Sequence, residues 1–192
     1  MSLNLPILLT YLRILLIPVF VVVFYLPYGW SFPASAWIFA LAGITDWLDG
    51  YLARRLNQTS SFGAFLDPVA DKLMVATALV MLVDVHGPAN LWLSIPAMVI
   101  IGREITISAL REWMAELGQR RSVAVSYLGK LKTTAQIVAL LFLLYHEPLG
   151  PLPTHRIGLL LLNLAAILTL WSMLDYLKAA YTTVNSESDA SP

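Results

Sequence analysis

The stretch "DWLDGYLARRLNQTSSFGAFLDPVAD", residues 46–71, places four carboxylates, Asp46, Asp49, Asp67 and Asp71, between two apolar runs. Its flanks have the length and composition of bilayer-spanning segments. An aspartate near the centre of a spanning helix costs roughly 2.5–3.5 kcal/mol on insertion scales. Four without cationic partners would cost on the order of 10 kcal/mol, and somewhat less near the interface. Something cationic has to sit among them.

The rest of the chain supports the membrane setting. Of 192 residues, 58% are hydrophobic and only 12% are charged, about half the charged share of soluble domains. Mean hydropathy is +0.73. Formal net charge is zero, so no general attraction to nucleic acid is expected. The chain has no cysteine, which excludes disulfides, thiolate metal sites and a cysteine nucleophile. Six apolar runs of bilayer length cover about 5–26, 33–54, 63–85, 90–113, 128–146 and 156–180. The first is no signal peptide by pattern: no basic region precedes it, Arg13 interrupts it, and five more runs follow. Turn chemistry separates the runs, as at Pro27-Tyr28-Gly29 and Pro148-Leu149-Gly150-Pro151. The expectation is one all-α, polytopic domain over 1–180 with six transmembrane helices. The polar segment 181–192 is expected to be a disordered tail.

Cations set the orientation. Arg54, Arg55, Arg111, Arg120, Arg121, Lys130, Lys132 and Lys178 lie at one set of span ends, against Arg156 alone at the other. The positive-inside rule then places both termini in the cytoplasm. At 1.5 Å per helical residue, Arg13, the four aspartates, Arg103, Glu104, Lys130 and Lys132 fall at one depth, just inside the cytoplasmic leaflet. That pattern predicts a polar cavity open to the cytoplasm. His86, His146 and His155 fall on the far side and read as solvated loop residues. Residues 111–121 alternate like an interfacial helix, and an ordinary loop helix fits as well. Trp30, Trp47, Trp92 and Tyr181 read as interfacial belt or packing residues.

Spacing narrows the chemistry. Asp46, Asp49, Gly50, Ala53 and Arg54 share one helix face, and Gly63, Asp67 and Asp71 share a face of the next. A short turn makes the two helices antiparallel neighbours, so the carboxylates can face one another. Hard oxygen donors suit Mg²⁺ or Mn²⁺, and four carboxylates balance about two divalent ions. Such ion pairs commonly serve phosphoryl chemistry. Gly50 and Gly63 leave room for a ligand against the helix backbone, and Arg54 can fork onto a phosphate. Two blander readings compete. The aspartates could pair with Arg54, Arg55 and Lys72, and the glycines could serve helix packing. An ion-coupled transporter is the rival of another class, but it predicts polar groups through the whole depth. Here the outer half of each run is almost purely apolar.

The spacing D-x2-D-G-x2-A-R-x8-G-x3-D-x3-D, from Asp46 to Asp71, resembles the signature of the CDP-alcohol phosphotransferases. Eight fixed positions would match a given register by chance with probability on the order of 10⁻¹⁰. The likeness continues in "NLPILLTYLRILLIPVF", "GREITISALREWMAELG" and "GKLKTTAQ" and covers nearly the whole chain. It departs at Ile7, where relatives often carry Asn or Thr, leaving Thr10 as the hydroxyl near the nucleotide.

The resemblance implies transfer of a phosphatidyl group from CDP-diacylglycerol to sn-glycerol 3-phosphate, with release of CMP, in a bacterial inner membrane. It implies a homodimer. Asp46, Asp49 and Asp67 would hold metal, and Asp71 would contact metal and act as general base. Thr10, Gly50, Ala53, Arg54, Ser60 and Gly63 would shape the CDP-diacylglycerol site. The family's placement of cations gives Arg103, Arg111 and Lys132 as the glycerol 3-phosphate site. The alternative is another acceptor: serine, inositol phosphate or phosphatidylglycerol.

Overall fold

The structure, a computed structural model, describes residues 5–55, 61–87, 89–116 and 127–188. Its regular elements are six helices: α1 (Leu5–Phe24), α2 (Ser31–Arg55), α3 (Ser61–His86), α4 (Leu91–Glu116), α5 (Tyr127–Tyr145) and α6 (Thr154–Ser188). The all-α expectation holds. Among the described residues, α1, α4 and α6 are long and apolar enough to cross a membrane. In α2 and α3 the aspartates and nearby cations interrupt the apolar run, and in α5 the apolar stretch is only Lys132–Tyr145. Large apolar side chains point outward on these helices, including Leu15, Trp37, Met98 and Leu160. Such exposure suits lipid rather than water, and the chain is a membrane protein. Helix α6 runs to Ser188, into the segment that the sequence reading assigns to the tail; residues 189–192 lie outside the described residues.

The chain divides into two compact units. Unit 1 comprises residues 1–87 and 140–158. In it, α1 packs on both α2 and α3. Phe20, Phe39, Ala70, Met74, Ala78, Leu79 and Leu82 are buried, and the Phe20 and Phe39 rings lie 6.1 Å apart. Small residues at 42, 70 and 78 let helix backbones approach closely. The α1–α2 turn is tied down by side chains. Ser31 Oγ donates to the Leu26 carbonyl at 2.8 Å, and the Tyr25 hydroxyl donates to Asp84 on α3 at 2.9 Å. Helices α3 and α5 both end on left-handed residues: Gly87 (φ 82°) after α3 and His146 (φ 62°) after α5. Glycine adopts that conformation freely and histidine does not.

Unit 2 comprises residues 88–139 and 159–192. On α4, Leu93, Ile100, Ile107 and Met114 recur every seventh residue and are buried with Ala97 and Arg103. One helix face therefore carries both the apolar core and a cation. Asn163 of α6 donates to the Trp92 carbonyl at 2.8 Å.

The core of unit 1 is testable on a single helix. Phe20→Ala should cost about 3–5 kcal/mol, read as a lower thermal midpoint of the purified protein in detergent. Leu15→Ala, at a position 65% exposed, should leave the midpoint nearly unchanged.

Candidate active site

Helix α1 supplies the cation that the acidic stretch demands. Arg13 is fully buried, at 1% exposure. Its Nη1 donates to Asp46 Oδ1 at 2.7 Å and to Asp71 Oδ1 at 3.2 Å, and its Nη2 donates to Asp49 Oδ2 at 2.5 Å. Three residues earlier on α1, the buried Thr10 hydroxyl donates to Asp67 Oδ1 at 2.5 Å. The i, i+3 spacing places Thr10 and Arg13 on one face of α1. All four aspartates thus meet α1, from α2 (Asp46, Asp49) and α3 (Asp67, Asp71).

The geometry follows from charge. A guanidinium buried in an apolar helix bundle needs several acceptors, and here three carboxylates share it. Arg13 Nε is buried without a partner among the described residues, so its bonding runs through the two terminal nitrogens. The carboxylates differ in access: the Asp49 side chain is 3% exposed and that of Asp71 is 51% exposed. Asp49 is sealed against Arg13, whereas about half of the Asp71 side chain is exposed. Gly50 follows Asp49 on α2, and Gly63 is buried in the first turn of α3. Ala53 and Arg54 lie on α2, but their side chains are outside the described residues, as is Ser60 altogether. Arg55 bonds the Tyr51 hydroxyl at 2.9 Å.

Unit 2 carries a separate cationic cluster. Arg103 pairs with Glu104 at 2.6 Å. The guanidinium carbons of Arg103 and Arg111 lie 5.9 and 5.7 Å from the centre of the Tyr176 ring, within cation–π reach. Lys132 is 5% exposed and feels the charges of Arg103, Glu104 and Arg111. Among the described residues its Nζ has no hydrogen-bond partner. A buried ammonium without an acceptor is costly, and an anion would relieve it. The structure therefore gathers the three cations named from sequence and adds Tyr176.

Comparison with known proteins gives this arrangement a family. Residues 3–171 match the model of the CDP-alcohol phosphatidyltransferases. The chain belongs to that family. Three relatives, from Salmonella typhimurium, Shigella flexneri and Escherichia coli, are each 57% identical over 180 residues, covering 94% of this chain and 96% of theirs. Each is named CDP-diacylglycerol–glycerol-3-phosphate 3-phosphatidyltransferase.

CDP-alcohol phosphatidyltransferases work with a divalent metal, and the donor set in unit 1 fits one. Asp46, Asp49, Asp67 and Asp71 offer hard oxygen atoms, and the single charge of Arg13 balances only one of four carboxylates. Asp46, Asp49 and Asp71 share two nitrogens of the guanidinium, and Asp67 is held by Thr10 instead.

Sequence reasoning places Arg13 at the level of the aspartates, which it does contact, without assigning it to the site. The signal was a lone arginine two turns into the most apolar helix, which must find acid. Tyr176 carried no comparable signal. Removing the guanidinium tests its role as counter-charge. Arg13→Ala should destabilise the protein by about 3–5 kcal/mol, the usual cost of breaking a buried ion pair. Added Mg²⁺ should recover much of the lost thermal midpoint in the variant and change the wild type less.

Proposed function

We propose that this chain transfers the phosphatidyl group of CDP-diacylglycerol to sn-glycerol 3-phosphate, giving phosphatidylglycerophosphate and CMP. The observation that carries this reading is the gathering of Asp46, Asp49, Asp67 and Asp71 around one face of α1. The names of the 57% identical relatives supply donor and acceptor. Asp46, Asp49, Asp67 and Asp71 would hold two divalent ions, Mg²⁺ or Mn²⁺. Such ions would supply polarisation of the diphosphate and compensation for charge on the departing CMP.

Asp71 acts as the general base. Its openness supports this, because a base must reach the proton it takes, whereas Asp49 is sealed against Arg13. The acceptor hydroxyl oxygen bonds the phosphorus that bears diacylglycerol. The bond from that phosphorus to the CMP oxygen breaks, and the hydroxyl proton passes to Asp71. Thr10 and Arg13 fix the carboxylates in place. Gly50, Ala53, Arg54, Ser60 and Gly63 shape the CDP-diacylglycerol site, together with Thr10. Arg103, Arg111 and Lys132 bind the phosphate of glycerol 3-phosphate, which the unpartnered Lys132 Nζ supports.

The chain spans the bacterial inner membrane six times around a polar cavity open to the cytoplasm. Both termini are cytoplasmic, as the positive-inside distribution indicates, and the protein works as a homodimer.

Purified protein given CDP-diacylglycerol should release CMP with sn-glycerol 3-phosphate and not with serine, inositol phosphate or phosphatidylglycerol. Release with one of the others instead would replace the acceptor and leave the chemistry standing. Asp67→Asn should lower CMP release by orders of magnitude while the protein still inserts. Asp71→Asn should reduce kcat far more than it weakens binding of CDP-diacylglycerol. For the acceptor, Lys132→Ala should raise KM for glycerol 3-phosphate at least tenfold with little change in KM for CDP-diacylglycerol, measured by steady-state CMP release.

A further inference from the structure

Three histidines that no part of the reaction uses meet in unit 1. His86 ends α3, His146 follows α5, and His155 stands in the first turn of α6. One ring nitrogen from each lies within 4.8 Å of the others. Among the described residues they are the one group of three metal-ligand side chains drawn together in this way. His86 lies fifteen residues beyond Asp71 on α3, hence about 22 Å along the helix from the acidic site. By sequence pattern these histidines read as solvated loop residues. Instead His86 and His155 are half-buried, and only His146 is exposed.

We propose that His86, His146 and His155 form a binding site for a divalent transition-metal ion such as Zn²⁺, separate from the acidic site. Four features carry it. His86 Nδ1 lies 2.9 Å from the Leu82 carbonyl; a carbonyl only accepts, so Nδ1 bears the hydrogen and Nε2 presents a lone pair. A backbone carbonyl holding the far nitrogen is the usual way a ligating imidazole is oriented. His86 Nε2 and His146 Nδ1 are 3.3 Å apart. Two nitrogens bound to one tetrahedral Zn²⁺ at about 2.0–2.1 Å sit about 3.3 Å from each other. His155 Nδ1 is buried and has no hydrogen-bond partner among the described residues, an orphan that a metal bond would satisfy. Finally, His146 is held at φ 62°, a conformation uncommon for a residue with a Cβ.

Imidazole selects for this class of ion. Nitrogen donors suit Zn²⁺, Cu²⁺ and Ni²⁺ and bind Mg²⁺ poorly. The exposed His146 gives the ion an entry path, and water completes the coordination. One movement is required. The His155 ring stacks on that of His86 at 4.8 Å with planes 17° apart, and lone pairs lie in ring planes. Near-parallel rings cannot aim at one ion, so His155 rotates out of the stack as it binds.

The experiment uses the full-length protein in detergent, stripped with EDTA and held in saturating Mg²⁺. Zn²⁺ is then titrated against a chromophoric chelator. One equivalent should bind at micromolar or tighter dissociation constant. His146→Ala should weaken binding at least tenfold, and a triple His86→Gln, His146→Ala, His155→Gln variant should abolish it, with CMP release in Mg²⁺ unchanged. Should the triple variant fail to fold, the electron paramagnetic resonance spectrum of wild-type protein loaded with Cu²⁺ decides alone. Couplings to histidine nitrogens sustain the site, and a spectrum of oxygen ligands only overturns it. Binding that disappears in Asp49→Asn but persists in His146→Ala also overturns it, because the ion would then be in the acidic site. Absence of Zn²⁺ binding in the wild type does the same.

Discussion

A charge inside an apolar helix bundle must be answered by another charge, and in this protein the answer is one guanidinium. Arg13 would be as costly alone as the aspartates it touches. Together they convert two liabilities into a rigid polar centre. The arrangement also fixes the packing. Bonds from Arg13 reach α2 through Asp46 and Asp49, and α3 through Asp71. Any slide of α1 past either helix would break them, so register and chemistry depend on the same contacts. The apolar contacts below, such as Phe20 against Phe39, tolerate small shifts far better than charge-assisted hydrogen bonds do.

The two charged clusters are built on opposite logic. In unit 1 the acids outnumber the described cation that touches them, and the surplus is negative. In unit 2 the described charges acting on Lys132 are those of Arg103, Arg111 and Glu104, and the surplus of that group is positive. Tyr176 offers its ring face to both arginines, stabilising cations without neutralising them. Each cluster is therefore set up to take a ligand of a particular sign, and the proposed reaction brings one of each: divalent cations and a phosphorylated alcohol.

The six helices and the grouping of the aspartates in the candidate site were legible because both rest on simple constraints. Bilayer length marks the apolar runs, and the turn residues between them place the six helices close to their observed bounds, except for the end of α6. The period of the helix puts Asp46 with Asp49, and Asp67 with Asp71. What escaped depends on partners far apart in sequence. Nothing local to "LTYLRILL" says that its arginine reaches Asp46 and Asp71. Tyr176 looks like any aromatic near a span end. The histidines, at 86, 146 and 155, read as unrelated because no period links residues brought together by separate loops. Even α6 runs past its expected end, since polar composition alone does not stop a helix that lacks a proline or glycine there.

Helix α1 has the outward look of a removable leader: short, apolar and first in the chain. Yet Thr10 and Arg13 make it the wall from which the acidic centre hangs. A protein trimmed of this helix would lose its internal counter-ion together with its first membrane anchor. The four aspartates, left without that counter-ion, would repel one another, and their two helices would be driven apart. The N-terminus is thus the wrong end at which to shorten, exchange or rigidly fuse this enzyme.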